Sequence, residues 1–251
     1  MEVSALNFST SLVHENVEVF KNVFKLTIKG KFTGKPGQFY MLRAWDEYPL
    51  LSRPISIHCI DNEEIVFLYQ NIGEGTKILS KLKKNDAIQI TGPLGNGFDT
   101  QKIKGKVAIV SGGIGTAPML YLAKFLKDCD IDLYAGFKDG CYELDSYKGY
   151  VNSINISTET GICGHKGYVT EMLKPELYDV VVCCGPEIMM SKVIKMCREK
   201  DIPVYVSMEK HMACGVGACL VCTCKTKNGN KRTCKDGPVF FGDDLILKED
   251  I

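Results

Sequence analysis

The sequence predicts a multi-domain α+β protein: an antiparallel β-barrel, then an α/β domain with a parallel sheet, then a small cysteine-rich C-terminal domain. Short β-rich runs separated by Gly, Pro and Asn turns fill the first hundred residues, and strands alternate with helices in the middle of the chain. Five of the twelve cysteines stand within residues 214–234. We therefore expect domains at residues 1–100, 101–209 and 210–251.

Composition excludes several classes of protein. The net charge is +1 and no Lys and Arg run interleaves with aromatics, so we expect no nucleic-acid partner. The segment Met1–Asn7 has no basic stretch leading into an apolar run, and cysteines in apolar segments suit a reducing compartment, so we expect a cytoplasmic protein. Val107–Ala123 is uncharged, but its glycines and Pro118 argue against membrane insertion.

The first hundred residues contain five candidate strands at even spacing, which indicates a small closed barrel. The strands are Val17–Lys29, Gln38–Trp45, Pro54–Ile60, Glu64–Asn71 and Ala87–Thr91. One short helix, predicted at Gly75–Lys83, interrupts them.

The barrel carries a set of candidate flavin-binding residues. In Arg53-Pro54-Ile55-Ser56, the arginine suits a pyrophosphate and the hydroxyl can face a ring edge. Leu68-Tyr69-Gln70 offers an aromatic ring for stacking, and Gly75 and Thr76 open a helix whose backbone N–H groups can receive phosphate. A glycine-rich corner at residues 92–98 then ends the barrel. This order is typical of a flavin-binding barrel.

The middle of the chain alternates strands and helices, which predicts a parallel sheet covered on both faces. Strands are predicted at Val107–Ser111, Ile131–Ala135, Ile154–Ser157, Asp179–Cys183 and Val204–Ser207. Helices are predicted at Thr116–Lys127, Val169–Leu173 and Glu187–Lys200.

Two turns of this domain are candidates for binding a dinucleotide. The first strand runs into Gly112, Gly113, Gly115 and Thr116, where glycines admit a ligand close to the backbone, although Pro118 replaces the third glycine of a Rossmann fingerprint. A later strand ends in Cys184-Gly185-Pro186 and opens a second helix. No arginine follows the second strand, which favours NAD over NADP, although Lys138 leaves that choice open.

The cysteine-rich segment has metal-ligand spacing. Cys214, Cys219 and Cys222 follow the C-x4-C-x2-C pattern of the first three ligands of a plant-type [2Fe–2S] site, and Cys234 supplies a fourth. Small residues fill the first gap and let backbone N–H groups reach the cluster sulfides. Structural zinc more often uses paired C-x2-C knuckles and is the alternative metal. Cys224 is assigned to packing because its spacing competes with Cys222.

These motifs resemble known proteins. The barrel and the two turns resemble the ferredoxin–NADP reductase superfamily, and nearly the whole chain resembles the electron-transfer subunits of class B dihydroorotate dehydrogenases. The markers are Arg53–Ser56, Gly92–Phe98, Cys214–Cys219 and Cys234–Phe240.

The resemblance implies a role for each region. Residues 1–100 would bind FAD through Arg53 and Ser56, residues 101–209 would bind NAD with Cys184 near the nicotinamide ring, and residues 210–251 would hold the cluster. Family members often carry a basic residue where Gln70 stands. No acid–base catalyst is implied.

The resemblance also implies a partner, an FMN-containing catalytic subunit that oxidises dihydroorotate in pyrimidine biosynthesis, assembled as a heterotetramer with two copies of each chain. Electrons would pass through the [2Fe–2S] cluster and FAD to NAD⁺. One alternative keeps these cofactors in a reductase subunit for a hydrogenase, a glutamate synthase or a ferredoxin-linked transhydrogenase. An alternative of another class is a zinc-stabilised nucleotide-binding regulator.

Overall fold

The first structural unit is a closed antiparallel barrel. The computed structural model describes residues 8–61 and 63–247. The prediction that Met1–Asn7 is not part of a secretory signal concerns residues outside these ranges. Six strands close the barrel in the order β1-β2-β5-β4-β3-β6. They are β1 (Phe8–Phe20), β2 (Val23–Lys29), β3 (Phe39–Arg43), β4 (Arg53–Asp61), β5 (Glu64–Gln70) and β6 (Ala87–Leu94).

The predicted strand Val17–Lys29 is wrong, because it spans the end of β1, a turn and the whole of β2. Asn22 forms the turn with a φ of 60°. Asparagine tolerates this left-handed conformation, and strand-forming residues continue on both sides of it. The apolar pattern therefore conceals the hairpin.

Apolar side chains fill the barrel interior. The short helix α1 (Glu74–Leu79) follows β5, and its Leu79 is fully buried in the barrel core. Leu26, Leu42 and Phe67 are fully buried in the same cluster. Burial of each such side chain contributes on the order of 1.5–3 kcal/mol. The barrel thus has a core of its own and presents rigid strands to its surroundings.

The second unit is a seven-stranded sheet with the order β10-β9-β8-β7-β11-β12-β15. Its strands are parallel except β15, which runs antiparallel to β12. The bounds are β7 (Lys106–Gly112), β8 (Asp130–Phe137), β9 (Ser153–Thr158), β10 (His165–Lys166), β11 (Val180–Cys184), β12 (Val204–Ser207) and β15 (Val239–Phe241). A separate hairpin of β13 (Thr223–Thr226) and β14 (Gly229–Arg232) lies between β12 and β15 in the chain. Barrel, parallel sheet and cysteine-rich segment confirm the predicted fold class.

Helices of this unit are shorter than the sequence predicts. The two α-helices are α2 (Met119–Phe125) and α3 (Glu187–Arg198). The predicted helix Val169–Leu173 is a single 3-10 turn at Val169–Glu171. The predicted helix at Thr116 begins later, because Pro118 lies just before α2. Within the described ranges, no helix combines the length and apolar character needed to cross a bilayer.

The two units meet across a buried histidine of β4. The Nδ1 atom of His58 lies 2.6 Å from the carbonyl oxygen of Ala117, at the start of the segment leading into α2. A carbonyl only accepts, so Nδ1 carries the proton and donates it. The buried Nε2 atom has no hydrogen-bond partner among the described residues. Burial lowers the pKa of His58 to about 4.

This histidine makes stability depend on pH. Its folded pKa lies below the ordinary value of about 6.5, so the unfolded chain binds the proton more tightly and the free energy of unfolding falls as the pH drops from about 6.5 to 4. Between pH 7 and pH 5 we expect this group to remove about 2 kcal/mol.

His58→Asn keeps a side-chain N–H for the Ala117 carbonyl and removes the titrating group. The variant should lose less stability on acidification by that amount, as measured by urea unfolding at both pH values with circular dichroism. The same pH dependence in the variant and the wild type would contradict the assignment.

Candidate cofactor sites

The first candidate site lies at the start of β4. Residues 53–56 are half-buried, whereas the next three residues of the strand are buried. In the ladder with β3, Pro54 lies opposite Met41 and Ser56 opposite Phe39. The barrel therefore leaves this strip of β4 partly uncovered, which fits a planar ring lying against it.

The side chain of Arg53 lies across the beginning of α1. Its guanidinium carbon is 5.5 Å from the centre of the Trp45 ring, and Nη1 donates to the carbonyl of Leu51. A Cβ atom at Gly75 would lie 2.5 Å from Nε of Arg53. A side chain at residue 75 would displace the guanidinium from this position, so the glycine lets Arg53 lie against the start of α1. A fixed cation beside the first backbone N–H groups of a helix fits a phosphate.

Thr76 and Tyr69, two other residues predicted to contact the flavin, have side chains that stabilise the fold. Thr76 Oγ1 accepts the N–H groups of Ile72 and Gly73, both at 3.0 Å, and closes the turn before α1. Tyr69 is 1 % exposed, its ring packs on Phe24 and its hydroxyl donates to Asn16. The ring belongs to the barrel core, so the expected stacking of Tyr69 on a cofactor is corrected.

The two neighbours of Tyr69 differ from each other in exposure. Leu68 is buried and packs with Val23 and Ala117, whereas Gln70 is exposed at the end of β5. Only Gln70 therefore has a side chain free to reach a ligand.

The second candidate site is formed by the two glycine turns, which follow the adjacent strands β7 and β11. A Cβ atom at Gly112 would lie 2.8 Å from Cδ of Pro186, and one at Gly185 would lie 2.9 Å from the nitrogen of Gly112. At Gly115 it would collide with the carbonyl of Cys184. These glycines allow the turns to interlock at the carboxyl edge of the sheet, where open α/β sheets bind ligands.

Open space remains above this edge. Gly113 has a φ of 53° and nothing within 4 Å of a Cβ position, so a ligand can approach its backbone closely. The Thr116 hydroxyl instead donates to Ser111 Oγ at 3.0 Å and is fully buried. Cys184 is 2 % exposed, and burial raises the pKa of its thiol well above the ordinary range. Thr116 and Cys184 can therefore offer a ligand only their backbone.

Glu209 is a candidate that the sequence analysis missed. The residue is exposed, and desolvation by the surrounding chain raises the pKa of its carboxyl. Its charge acts on Cys184 and Tyr142. A single glutamate after a strand gives no sequence signal, so only the folded chain could reveal it.

The third candidate site gathers four cysteine thiols in two pairs. The Cys219 side chain helps to lower the pKa of Cys214, and the Cys222 side chain helps to raise that of Cys234, so the thiols lie near each other in these two pairs. In the described ranges no three His, Cys, Asp or Glu side chains form a site for a single metal ion. Two pairs of thiols suit a binuclear cluster, in which each iron takes two protein thiolates.

Backbone N–H groups surround these sulfurs. Gly217 donates to Cys234 Sγ at 3.1 Å, Ala218 donates to Cys214 Sγ at 3.3 Å, and Cys234 donates to Cys222 Sγ at 3.4 Å. Such donors stabilise sulfur ligands in the thiolate form. The small residues of the first gap therefore perform the predicted task of exposing the backbone to the thiols.

The pKa values of the thiols follow from these contacts. Burial acts to raise the pKa of Cys214, but backbone N–H groups of Cys219, Val216 and Ala218 outweigh it and lower the pKa to about 6. Burial and the neighbouring Cys222 raise the pKa of Cys234. Cys224 lies in β13, where its side chain is buried. It stands apart from the two pairs.

The cysteine segment packs directly on the barrel. Cys222 and Cys234 form one apolar cluster with Phe39, Met41 and Leu94. A Cβ atom at Gly215 would lie 2.9 Å from Cγ of Met41. Since β3 is hydrogen-bonded to β4, the thiols contact the strand next to Arg53–Ser56.

The glycine-rich corner after β6 anchors this segment. The backbone N–H of Asn96 donates to the carbonyl of Gly237 at 2.6 Å, and its side-chain amide donates to that of Lys235 at 3.1 Å. A Cβ atom at Gly95 would lie 2.7 Å from the carbonyl oxygen of Gly237. The corner therefore binds the cysteine segment as well as ending the barrel.

Comparison with known proteins identifies the family of this chain. Residues 209–246 match the model of the iron–sulfur cluster binding domain of dihydroorotate dehydrogenase B. A Clostridium acetobutylicum protein named dihydroorotate dehydrogenase B (NAD(+)), electron transfer subunit, is 62% identical over 242 residues, covering 96% of this chain and 98% of that protein. This chain belongs to the family of dihydroorotate dehydrogenase B electron transfer subunits. A Clostridium perfringens member is 52% identical, with 95% and 98% coverage.

Solved structures agree with the fold. A structure of NADH-dependent reduced ferredoxin-NADP oxidoreductase, described in terms of flavin-based electron bifurcation, aligns with a TM-score of 0.85 at 28% identity, covering 99% of this chain and 92% of the other. A Neisseria gonorrhoeae ferredoxin NADP⁺ reductase with bound FAD and NADP aligns at 15% identity, with a TM-score of 0.60 and coverage of 77% and 91%, and shows the fold alone. The chain is an NAD-linked electron transfer subunit of an oxidoreductase, as its sequence predicts.

Serine substitutions test the cysteine site. We expect Cys214→Ser, Cys219→Ser, Cys222→Ser and Cys234→Ser each to reduce the iron content of anaerobically purified protein from about two atoms per chain to well below one. Cys224→Ser is the matched control and should keep its iron and its visible absorption. Zinc in place of iron, or loss of iron in the Cys224 variant, would contradict the ligand set.

Proposed function

We propose that this chain carries electrons between a partner subunit that oxidises dihydroorotate with FMN and NAD⁺, using FAD and a [2Fe–2S] cluster. The observation that carries the proposal is the packing of Cys222 and Cys234 on β3, the strand paired with β4 and its Arg53–Ser56 motif. Neighbouring strands lie about 4.8 Å apart. A cluster on these thiols and a flavin on that motif would be separated by little more than one strand.

The two cofactors divide the chemistry. A flavin accepts one or two electrons and so connects a one-electron cluster with a two-electron nicotinamide. The protein's own task is to hold these groups at short distance. Arg53 would neutralise the flavin pyrophosphate beside the first turn of α1, and the half-buried strip of β4 would support the ring. Ser56 would face the ring edge.

The cysteine loop would hold the cluster and tune it. Cys214 and Cys219 would bind one iron, and Cys222 and Cys234 would bind the other. The N–H groups of Gly217 and Ala218 would donate to the ligand sulfurs, which stabilises the negative charge of the cluster. Arg232 supports the same loop, since its guanidinium donates to the carbonyl of Gly217 at 3.3 Å and to the carboxylate of Asp236.

The interlocked glycine turns would bind the nicotinamide dinucleotide. The backbone of Gly113, which has open space beside it, is suited to the pyrophosphate, and the turn Cys184-Gly185-Pro186 would lie near the nicotinamide ring. After β8 the chain continues with Lys138-Asp139-Gly140 and no arginine, which supports NAD as the ligand. Lys138 is the group that could attract a 2′-phosphate.

An exposed apolar rim beside Cys219 is our candidate for the partner interface. Val216, Leu220 and Val221 are exposed on the cysteine loop, and Cys219 is exposed among them. One-electron transfer requires a cluster close to the partner, and exposed apolar side chains suit a protein interface. We expect a heterotetramer with two copies of each subunit. Twelve free cysteines suit the reducing cytoplasm, where we place the protein.

A second candidate differs only in the partner. The TM-score of 0.85 with the NADH-dependent reduced ferredoxin-NADP oxidoreductase supports a reductase subunit of a ferredoxin-linked transhydrogenase. The 62% identity with a dihydroorotate dehydrogenase B subunit, against 28% for that structure, favours our first proposal.

Two alanine substitutions test the flavin site. Gly75→Ala places a methyl group 2.5 Å from Nε of Arg53 and should displace the guanidinium, weakening FAD binding by roughly tenfold, or about 1.4 kcal/mol. Gly73→Ala, two residues earlier, meets nothing within 4 Å at a φ of −162° and should retain FAD. Flavin absorbance during dilution measures both constants. Equal retention by the two variants would argue against the site.

Reconstitution tests the partner. Mixed with an FMN-containing subunit that oxidises dihydroorotate, the holoprotein should support NADH formation dependent on dihydroorotate. Val221→Asp should raise the partner concentration needed for half-maximal rate by at least about tenfold, because a carboxylate would be desolvated at the interface.

Leu177→Asp is the control, because Leu177 is equally exposed but lies in a turn that precedes β11, at the opposite edge of the sheet. It should couple as the wild type does, and both variants should reduce dyes with NADH normally. Absence of coupling in the wild type would eliminate dihydroorotate as the electron source, and normal coupling in Val221→Asp would eliminate this rim as the interface.

A further inference from the structure

Two cysteines outside the cluster segment lie in contact at the edge of the parallel sheet. The Sγ atom of Cys141 donates to the Sγ atom of Cys163 at 2.8 Å. Cys141 follows β8 and Cys163 follows β9, and these strands are paired neighbours. Their two loops therefore leave the same carboxyl edge of the sheet as the glycine turn after β7.

We propose that Cys141 and Cys163 are a reversible dithiol–disulfide pair, a modification site beside the dinucleotide-binding edge. A disulfide bond is about 2.05 Å long, so the sulfurs need to approach by less than about 1 Å. The proposal does not depend on the electron-transfer partner or on the cluster.

The loop that carries Cys141 is held on the barrel. The ring of Tyr142 stacks on Phe20 with centroids 5.4 Å apart and meets Phe137 edge to face at 4.8 Å. A Cβ atom at Gly140 would lie 2.8 Å from the Phe20 ring. These contacts on either side fix the backbone of Cys141. Its thiol is half-buried, and burial raises its pKa.

The loop that carries Cys163 is held by its own turn. The buried hydroxyl of Thr158 accepts the N–H of Cys163 at 3.2 Å and donates to the Cys163 carbonyl at 3.1 Å. Gly164 has a φ of 69°, and a Cβ there would collide with the carbonyl of Ile156. The side chain of Cys163 is half-buried next to the exposed Ile162, so a small oxidant can reach the pair.

The other cysteines outside residues 214–234 lack this arrangement. Cys183, Cys184 and Cys197 are buried, Cys59 accepts from Lys124 at 3.0 Å, and Cys129 donates to the carbonyl of Ile103. In the part of the chain that the structure describes, the hydrogen-bonded thiol pair outside the cluster segment is thus Cys141 with Cys163.

The oxidant we name is a low-molecular-weight disulfide such as oxidised glutathione. One protein thiolate attacks it and releases one glutathione, and the second protein thiolate then attacks the mixed disulfide and releases the other. Two protein thiols lose two electrons and two protons, and one glutathione disulfide becomes two thiols. Reductant reverses the sequence.

Peptide mapping tests the proposal on the holoprotein. Trypsin cleaves after Lys138, Lys148 and Lys166, so Cys141 is the single cysteine of peptide 139–148 and Cys163 that of peptide 149–166. After treatment with oxidised glutathione and alkylation, we expect the two peptides joined and two hydrogens lighter than their sum. Dithiothreitol should separate them. Cys141→Ser should abolish the joined species, and the matched control Cys129→Ser should retain it.

Thermal unfolding gives a second measurement. Closing a loop of about 20 residues restricts the unfolded chain, so oxidation should raise the Tm by roughly 5 °C in the wild type and in Cys129→Ser, and not in Cys141→Ser. Recovery of both peptides as free thiols, or each joined to glutathione instead of to the other, would overturn the proposal.

Discussion

The packing of two cysteines against one barrel strand sets the separation between the cysteine site and the Arg53–Ser56 motif. Cys222 and Cys234 are buried against Phe39, Met41 and Leu94, and their strand neighbour carries the Arg53–Ser56 motif. Gly215 and Gly95 are needed because the cysteine segment approaches the barrel so closely. This contact places the two thiols one strand away from the Arg53–Ser56 motif without any bridging element.

The parallel sheet has its own contact with the barrel. The hydrogen bond between His58 and Ala117 joins β4 of the barrel to the segment before α2. It therefore holds the edge that carries the two glycine turns in a fixed position relative to β4. The glycines at 112, 115 and 185 remove side chains from the place where the turns meet. Each of the three candidate sites therefore depends on close approach of backbone, and glycine is the residue that allows it.

Features encoded within short stretches of the sequence could be predicted, whereas contacts between distant parts of the chain could not. The cysteine spacing and the glycine turns lie within short stretches of chain, so the sequence indicates their chemistry directly. The stacking role predicted for Tyr69 is corrected because alternation along a strand does not say which face is the core, and the Tyr69 ring packs on Phe24. The hairpin at Asn22 was hidden by strand-forming residues on both sides. His58 with Ala117, and Cys141 with Cys163, are joined only by tertiary structure, which no local pattern encodes.

The return of the chain to the sheet has a consequence for how such proteins can diversify. The polypeptide leaves at the end of β12 and comes back as β15, the strand paired with β12, so the cysteine segment is an excursion whose two stems are adjacent. Loops with adjacent ends tolerate insertion and replacement, because the scaffold fixes both ends independently of what lies between them. The whole segment could be exchanged for another redox module while the dinucleotide fold stays intact, provided that the replacement matches the corner at Asn96 and the barrel surface formed by Phe39, Met41 and Leu94.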